Sequence, residues 1–279
     1  MPEIAPYGAW KSPITADLIV GRQIGLGWPS AEGETVYWSE SHPQEGGRVT
    51  VMRRDSGGTV SDLLPPPWNV RTRVHEYGGL SYLVHQGVLY FSNFADQRVY
   101  RLDPGAAEPR PITPALDLRY VDFEPDERRG RLVCVREDHT VGDREAVNTI
   151  VALDWTGADI TGGGTVLVEG SDFYSNPRIS PDGSRLCWLT WRHPNMPWDG
   201  TELWVADVTA DGGVANPRRV AGGASESVFQ PEWGPDGRLY FVSDPSGWWN
   251  LYRWDGDGAA EPHAVQALHP MQAEFGEPQ

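Results

Sequence analysis

The chain has 279 residues, among them 32 Gly and 24 Pro, and carries a formal net charge of −16. This acidity argues against nucleic acid or an anionic membrane surface as a partner, because binding either one needs a clustered basic face. No stretch approaches the roughly 18 consecutive apolar residues of a membrane span, and the length suits a single all-β domain.

Residues 1–8 contain no basic region followed by an apolar core, so the pattern predicts a cytoplasmic protein rather than a secreted one. Further along, Cys134 and Cys187 fall in separate strand patterns and belong to no CxxC pair. We expect them to be buried, reduced core thiols rather than a disulfide or metal ligands.

Short strands separated by turn residues fill the first half of the chain. Residues 28–33 are predicted to form a turn that leads into strands at 35–39 and 48–52. A second unit has predicted strands at 80–84, 88–92 and 98–103. These runs are rich in β-branched and aromatic residues, which favour a pleated sheet.

One short phrase recurs in the second half of the chain. Pro-Asp pairs begin at residues 125, 181 and 235, which are 56 and 54 residues apart, and the last two are followed by Gly and an apolar run. Proline presets the second position of a type I turn, Asp tolerates the third and Gly closes it, so a complete copy reverses the chain between two strands. A period near this length predicts a β-propeller.

The period divides residues 1–279 into about five blades of one all-β propeller domain, with blades of the TolB-like or WD40-like kind. The predicted blades are residues 24–75, 76–119, 120–175, 176–228 and 229–273, and residues 274–279 have the pattern of a further blade's start. We therefore expect an incomplete ring of a larger propeller, whose open blade edges favour self-association.

Catalytic motifs are absent from the sequence. No Ser lies within Gly-x-Ser-x-Gly, and the single lysine, Lys11, leaves no phosphate-binding loop. The pair His75-Glu76 lacks the second His of a zinc motif, because Gly79 stands at that position. We predict no catalytic residue, no cofactor and no metal site in this chain.

Two segments are richer in polar and aromatic residues than a blade requires. The first segment (residues 71–79) precedes an inner strand, and the second segment (residues 191–200) connects two strands. Residues at such places line the mouth of a propeller's central channel, so both segments are candidates for substrate contact and gating. The candidate residues are Arg71, Arg73, His75, Glu76, Tyr77, Arg192, His193, Asn195, Trp198 and Asp199.

Each segment also has a purely structural interpretation. Charged residues near inner strands commonly pair with each other, so the first segment would hold adjacent blades together through an Arg–Glu pair. The aromatic and Met side chains of the second segment would pack against substrate, a neighbouring domain or only the next blade. The sequence leaves these alternatives open.

Residues 73–79, 176–183, 191–204 and 243–252 resemble the propeller of prolyl oligopeptidase-family serine peptidases, with the closest likeness to bacterial dipeptidyl aminopeptidases and acylaminoacyl-peptidases. The resemblance implies a propeller, usually seven-bladed, that caps a C-terminal α/β-hydrolase domain and restricts which short peptides reach its Ser, Asp and His. No position of residues 1–279 matches that triad, so we expect this chain to be inactive alone.

The function implied by the resemblance is therefore substrate gating and interdomain packing in a peptidase that acts on short peptides, with the hydrolase domain of the same parent protein as partner. A free-standing TolB-like binding propeller is the alternative. A sugar-lactone hydrolase propeller would need a metal site of Glu, Asn and Asp side chains in the channel, and the sequence does not exclude it.

Overall fold

The structure is a computed structural model that describes residues 4–9, 11–20, 23–142, 144–158, 160–256 and 265–270, with residues 17, 20 and 265–270 described by their backbone alone. The predicted start of a further blade at residues 274–279 lies outside the described residues. The chain folds as two compact units, Met1–Val70 and Arg71–Gln279.

Strands account for almost all of the regular structure. The helical elements of the described residues are α1 (Ala16–Val20) and one-turn 3₁₀ helices at Pro43–Glu45 and Glu127–Arg129, and none of these helices is long and apolar enough to cross a membrane. The strands are β1 (Gly25–Glu32), β2 (Thr35–His42), β3 (Arg48–Arg54), β4 (Val60–Asp62), β5 (Tyr82–His85), β6 (Val88–Ser92), β7 (Val99–Leu102), β8 (Arg110–Pro111), β9 (Leu118–Asp126), β10 (Arg131–Asp138), β11 (Val147–Asp154), β12 (Thr165–Val168), β13 (Phe173–Ile179), β14 (Arg185–Trp191), β15 (Glu202–Val208), β16 (Val214–Gly222), β17 (Val228–Trp233), β18 (Leu239–Ser243), β19 (Asn250–Trp254) and β20 (Val265–Pro270).

The strands of the described residues form five antiparallel sheets, each of four consecutive strands. Blade 1 is β1–β4, blade 2 is β5–β8, blade 3 is β9–β12, blade 4 is β13–β16 and blade 5 is β17–β20. This all-β arrangement confirms the predicted propeller of about five blades. The first strands of the blades begin at residues 25, 82, 118, 173 and 228.

The Met1–Val70 unit contains blade 1. Its buried apolar residues include Tyr37, Val51 and Leu64. Arg48 is buried as well, and its guanidinium donates to the carbonyl oxygen of Leu64 at 2.9 Å and to Asp62 Oδ2 at 3.2 Å. A buried guanidinium needs such partners, and these bonds hold the end of β4 against β3.

The Arg71–Gln279 unit contains blades 2 to 5. Their first strands, β5, β9, β13 and β17, lie next to one another in that order and are the inner strands of this unit. Apolar clusters fill the seams between neighbouring sheets, with Leu132 in the first seam, Trp188 in the second and Phe241 in the third. The middle strands are thus covered on both faces, which explains their nearly continuous apolar sequence. Cys134 and Cys187 are buried and free, as predicted.

The complete Pro-Asp-Gly copies form hairpin turns. The N–H of Gly183 donates to the carbonyl oxygen of Ser180 at 2.7 Å, and the N–H of Gly237 donates to that of Gly234 at 2.9 Å. The two closing glycines have φ values of 67° and 77°, a region in which a side chain is strained. These copies therefore reverse the chain as the turn chemistry predicts.

The incomplete copy at residues 125–126 is not itself a turn. Both residues lie at the end of β9, where they pair with Leu132 and Arg131 of the next strand. The chain reverses through the 3₁₀ helix Glu127–Arg129 and Gly130, which has a φ of 63°. Without Gly after the Pro-Asp pair, the reversal moves to the next residue that adopts positive φ without strain.

The predicted turn at residues 28–33 is wrong in part. Residues 28–32 belong to β1, and the chain turns at Gly33, which has a φ of 58°. The pairing of β1 with β2 slips between Gly27 and Ser30, so the Trp28-Pro29 pair forms a β-bulge inside the strand. Pro29 therefore lies at a bulge within the strand and does not end it.

Inner strands of the other blades carry a similar bulge. Asn176 and Gln230 have φ values of 49° and 48°, and each precedes a proline at a slip in the strand pairing. Asp122 takes the equivalent place in β9 with a φ of 58° but precedes Phe. Its carboxylate accepts the N–H of Leu80 at 3.2 Å and that of Asn176 at 3.0 Å, so it joins blades 2, 3 and 4.

Blades 2 to 5 present two different ends. The turn face carries the hairpins that join the first strand to the second and the third to the fourth, and it includes the Pro-Asp-Gly turns. The loop face carries the connections from the second strand to the third and from one blade to the next. Both candidate segments lie on the loop face.

Candidate functional site

The first segment enters β5 with an unusual backbone. His75 and Glu76 have φ values of 53° and 66°, a region that residues other than glycine rarely adopt. Glu137 on β10 accepts the backbone N–H of His75 at 3.0 Å. Arg119 on β9 donates to the carbonyl oxygen of Arg73 at 2.9 Å and to Glu76 Oε1 at 2.7 Å. Blade 3 therefore holds the strained segment in place.

Aromatic rings join the first segment to the second. The centroid of the His75 ring lies 5.2 Å from that of Trp191 and 5.5 Å from that of Phe173, both edge-on. Phe173 stacks on Trp191 at 5.3 Å and contacts the ring of His193 at 4.9 Å, and Tyr77 lies 5.7 Å from His75. We call these five residues the aromatic cluster. Each ring pair of this kind contributes about 0.5–1.5 kcal/mol beyond the area that it buries.

The second segment contacts a loop of blade 3 and the connection between blades 4 and 5. His193 Nε2 lies 3.4 Å from Glu145 Oε2 on the loop between β10 and β11. At the other end, Asn195 Nδ2 donates to the carbonyl oxygen of Ala224 at 2.9 Å, just before β17. The structure thus shows one of the predicted alternatives, in which the second segment packs on neighbouring blades.

The remaining candidates of the second segment are exposed. Arg192 donates to the carbonyl oxygen of Gly170 at 2.8 Å, and Asp199 Oδ2 accepts the N–H of Met196 at 3.0 Å. The Trp198 side chain is 51% exposed. Arg192 and Asp199 therefore shape the loop, whereas Trp198 presents an apolar surface outward.

The two arginines of the first segment do not pair with Glu76. The guanidinium carbons of Arg71 and Arg73 each lie 4.5 Å from the ring centroid of Phe94. Such a cation–π contact at an exposed site contributes about 0.5–1 kcal/mol. The predicted Arg–Glu pair between blades does exist, but Arg119 of blade 3 supplies its guanidinium.

Exposed apolar side chains of the second unit are concentrated on one face. The structure describes eight large apolar side chains there with at least 37% exposure. Seven lie on the loop face, and Val166 on the outer strand β12 is the exception. The seven are Tyr77, Leu116, Val141, Val147, Met196, Trp198 and Trp248. A concentration of exposed apolar side chains on one face is typical of an interaction site.

The electrostatics of the loop face favour a neutral His75 and an ionised Glu76. Burial lowers the pKa of His75, although Glu137 and Asp122 act in the opposite direction. The hydrogen bond from Arg119 lowers the pKa of Glu76. The carboxylates of Glu76 and Glu145 are 78% and 87% exposed, so they are open to a cationic ligand.

The arrangement suits binding and positioning. Within the part of the chain that the structure describes, no three His, Cys, Asp or Glu side chains come together to hold a metal ion. Burial raises the pKa values of Cys134 and Cys187, which makes both thiols poor nucleophiles. What the loop face offers is an apolar and aromatic surface with carboxylates at its edge.

Sequence reasoning identified both segments but not the residues that connect them. Phe173, Arg119, Glu137 and Glu145 all come from the first two strands, or the loop after them, of blades 3 and 4. One sequence signal points to these four residues. Once the blades are assigned, each of them lies at the loop-face end of a strand or in a loop-face connection. Their contacts with the first and second segments are long-range, and no local pattern encodes them.

Comparison with known proteins gave matches among solved structures. No protein-family model and no curated protein matches the chain. A puromycin-hydrolyzing peptidase of Mycobacterium tuberculosis is 40% identical with a TM-score of 0.84, and the match covers 96% of this chain and 42% of that one. A puromycin hydrolase is 38% identical with a TM-score of 0.83, covering 95% and 42%.

A more distant match shows the fold alone. A structure from a study of two prolyl endopeptidases is 14% identical with a TM-score of 0.63, and the match covers 90% of this chain and 37% of that one. The chain thus spans less than half the length of each of these proteins. All three proteins extend well beyond the part that matches this chain.

Proposed function

The chain belongs, as a β-propeller, to the prolyl oligopeptidase family of serine peptidases, and on this premise we propose that it is the substrate-gating and interdomain portion of a peptidase acting on short peptides. The proposed partner is an α/β-hydrolase domain that supplies the catalytic residues. By itself the propeller is expected to hydrolyse nothing, because acyl transfer needs an activated nucleophile and an oxyanion hole.

The one-sided distribution of exposed apolar side chains carries this proposal. A hydrolase domain that docks on the loop face would cover Trp198 and Trp248, which are 51% and 50% exposed. Tryptophan is the residue type most enriched among those that dominate binding energy at interfaces. The turn face has no comparable apolar surface among the described residues.

Gating follows from the same placement. The first and second segments stand on the loop face and are tied together by the aromatic cluster, so a peptide entering through the propeller would pass between them and the hydrolase domain. Two consecutive strained residues, His75 and Glu76, are held by Glu137 and Arg119. Strain that the surroundings maintain in this way is common at functional sites.

The substrate class that the charges favour is a short peptide or aminoacyl amide with a free amino group. The net charge of −16 attracts cations, and Glu76 and Glu145 are exposed carboxylates beside the aromatic cluster. Two similar proteins are described as hydrolysing puromycin, an aminoacyl amide with a free amino group. Puromycin is therefore the first substrate to test.

The first experiment is to read the coding sequence beyond codon 279. An open frame encoding Gly-x-Ser-x-Gly within an α/β-hydrolase domain is expected, and a stop codon would favour a free-standing binding propeller instead. The encoded hydrolase domain is then produced separately and titrated with the 279-residue chain.

Matched variants test the docking face in that titration. Replacing Trp198 and Trp248 together with alanine should weaken binding by at least about tenfold, because exposed tryptophans on this face would be covered. The Val166→Ala variant is the control, since Val166 is an exposed apolar residue on an outer strand. Equal affinities for the two variants would contradict docking on the loop face.

The reconstituted enzyme tests the substrate class. Glu145→Gln should raise KM for puromycin with little change in kcat, because it removes attraction without touching the reacting groups. Glu127→Gln is the control, as Glu127 is 67% exposed on the turn face. An equal change in KM for both variants would leave only a general effect of net charge.

Two further predictions concern the whole protein. Self-association through open blade edges is checked by sedimentation, and a cytoplasmic setting is checked by cell fractionation.

A further inference from the structure

Three inner strands carry charged residues at the same register position. Glu124, Arg178 and Glu232 follow one another at intervals of 54 residues on β9, β13 and β17. Each lies two residues after the bulge residue of its strand. In a repeat protein, equivalent positions of successive repeats lie side by side. Arg178 therefore stands between two glutamates, one on each neighbouring blade.

The guanidinium is not shared equally. Arg178 Nε donates to Glu232 Oε1 at 3.0 Å, whereas it lies 4.0 Å from Glu124 Oε2. The other carboxylate oxygen of Glu124 accepts the backbone N–H of Ile179 at 3.1 Å. A separation of 4.0 Å allows electrostatic attraction but is too long for a hydrogen bond. Arg178 is thus bonded to blade 5, and a second arrangement, bonded to Glu124 of blade 3, lies about 1 Å away.

Burial distinguishes the two glutamates. The Glu124 side chain is 19% exposed and that of Glu232 is 61% exposed. Burial raises the pKa of Glu124 to about 7, although Arg178 and the N–H of Ile179 act in the opposite direction. Burial acts to lower the pKa of Arg178, but the two glutamates outweigh it and raise that pKa overall. The guanidinium stays charged while Glu124 gains or loses a proton near neutral pH.

Other ionisable groups surround this row. They are Asp122 and Asp126 on β9, Cys187 on β14, and the two arginines paired with Asp126, Arg129 and Arg131. Asp122 accepts two backbone N–H groups, and Asp126 is bonded to both arginines, so each has fixed partners. Burial raises the pKa of Cys187, which keeps that thiol protonated. Glu124 is the member of this group poised to change its charge.

We propose that Glu124, Arg178 and Glu232 form a proton-operated switch between two blade seams. When Glu124 is protonated, Arg178 bonds to Glu232 and joins blade 4 to blade 5. When Glu124 releases its proton to solvent, the carboxylate draws Arg178 back and joins blade 4 to blade 3. The switch therefore changes which neighbouring blade is bonded to blade 4 through Arg178.

The titration of Glu124 tests the switch directly. NMR detection of the side-chain carboxyl carbon in the 279-residue chain should show a midpoint near neutral pH. In the Glu232→Gln variant the midpoint should fall by about one pH unit, because Arg178 loses its competing partner and a like charge is removed. Glu232 is exposed, so this variant is expected to fold. The exposed Glu127→Gln variant is the control and should leave the midpoint unchanged.

Two results of the titration would overturn the proposal. One is a Glu124 midpoint at the ordinary value for glutamic acid in the wild-type chain. The other is a midpoint that Glu232→Gln does not move. A second readout is amide hydrogen exchange in β13 and β17, corrected for the intrinsic effect of pH. Its change across neutral pH should disappear in Glu124→Gln, which fixes the neutral state, and persistence of that change would also count against the switch.

Discussion

The two faces of blades 2 to 5 are built in different ways. On the turn face, the two complete Pro-Asp-Gly hairpins are 54 residues apart, and arginines bond the turns of one blade to the next, as Arg129 does to the carbonyl oxygen of Gly183 at 3.0 Å. On the loop face, connections vary in length, and aromatic rings from separate blades meet around His75. The repeated turns therefore belong to the architecture of the propeller, and the candidate site lies on the face where the connections do not repeat.

This difference reflects what each face must do. A repeated turn satisfies its own backbone, so it is stable wherever it stands and leaves little apolar surface exposed. A face that receives a partner must keep apolar side chains accessible, and loops carried on a rigid scaffold allow this without loss of the core. The comparison predicts that substitutions on the turn face act on stability, whereas exposed residues on the loop face act on binding.

The largest expected effect on stability is on the turn face. Asp126 is fully buried and bonded to Arg129 and Arg131, at 3.2 Å and 2.8 Å. Asp126→Ala should lower the free energy of unfolding by about 4 kcal/mol, because it leaves two partly buried guanidinium groups without their carboxylate. Urea unfolding measures this. Asp103→Ala, a half-exposed aspartate of the same face, should cost about 1 kcal/mol or less, and similar losses for both variants would contradict the account.

On the loop face, Trp191→Ala should lower the free energy of unfolding by about 3 kcal/mol, somewhat less than Asp126→Ala, because it leaves a cavity beside Phe173 and His75. The Trp191 side chain is 5% exposed, whereas Trp198 is 51% exposed. Trp198→Ala is the matched control and should change unfolding by no more than about 0.5 kcal/mol. If Trp198→Ala proved as destabilising as Trp191→Ala, Trp198 would belong to the core rather than to an exposed docking surface.

A smaller effect on stability is expected at Asp182, in the first complete Pro-Asp-Gly turn. Hydrogen bonds from Ser180 and Ser184 lower the pKa of Asp182 to about 2. Asp182→Asn should cost about 1 kcal/mol at neutral pH. The lowered pKa means that this contribution is full above the ordinary pKa of Asp and is lost as pH falls towards 2. The melting temperatures of the wild type and the variant should therefore converge in acid. A difference in melting temperature that stays constant with pH would exclude the charge of Asp182 as its source.

The smallest effect concerns the pH dependence that His75 contributes. Burial lowers the pKa of His75, so the folded state favours the neutral ring. This contribution to stability is full above the ordinary pKa of His and is lost as pH falls below it. Asn tolerates positive φ, so the His75→Asn variant can keep this backbone conformation. Its free energy of unfolding should change less between about pH 7 and about pH 5 than that of the wild type. An unchanged slope would show that the ring is not buried as described.

Repetition explains how much of the fold the sequence reveals. The complete Pro-Asp-Gly turns predict blades, because their chemistry is local and each glycine closes its own hairpin. The pair at 125–126 and the pair Trp28-Pro29 also contain proline, but tertiary pairing places both inside strands. A proline preceded by a residue of positive φ marks a bulge in β1, β13 and β17, and that signal is readable only when the blades are aligned.

The site was only half predictable for a related reason. Composition identifies residues 71–79 and 191–200, because polar and aromatic side chains are unusual between blade strands. Their convergence depends on Phe173, and their anchoring depends on Arg119 and Glu137, all distant in sequence from the first segment. Loop-face contacts form between blades, so they follow from the assembled structure and not from any one repeat.

Hydrogen exchange on the two faces tests the central claim most directly. The 279-residue chain is measured alone and with the α/β-hydrolase domain that is proposed as its partner. The account predicts new protection at residues 71–79, 191–200 and 244–249 on the loop face, with the turns at 180–184 and 234–238 unchanged. Protection confined to those turns, or none on either face at saturating hydrolase domain, would contradict it.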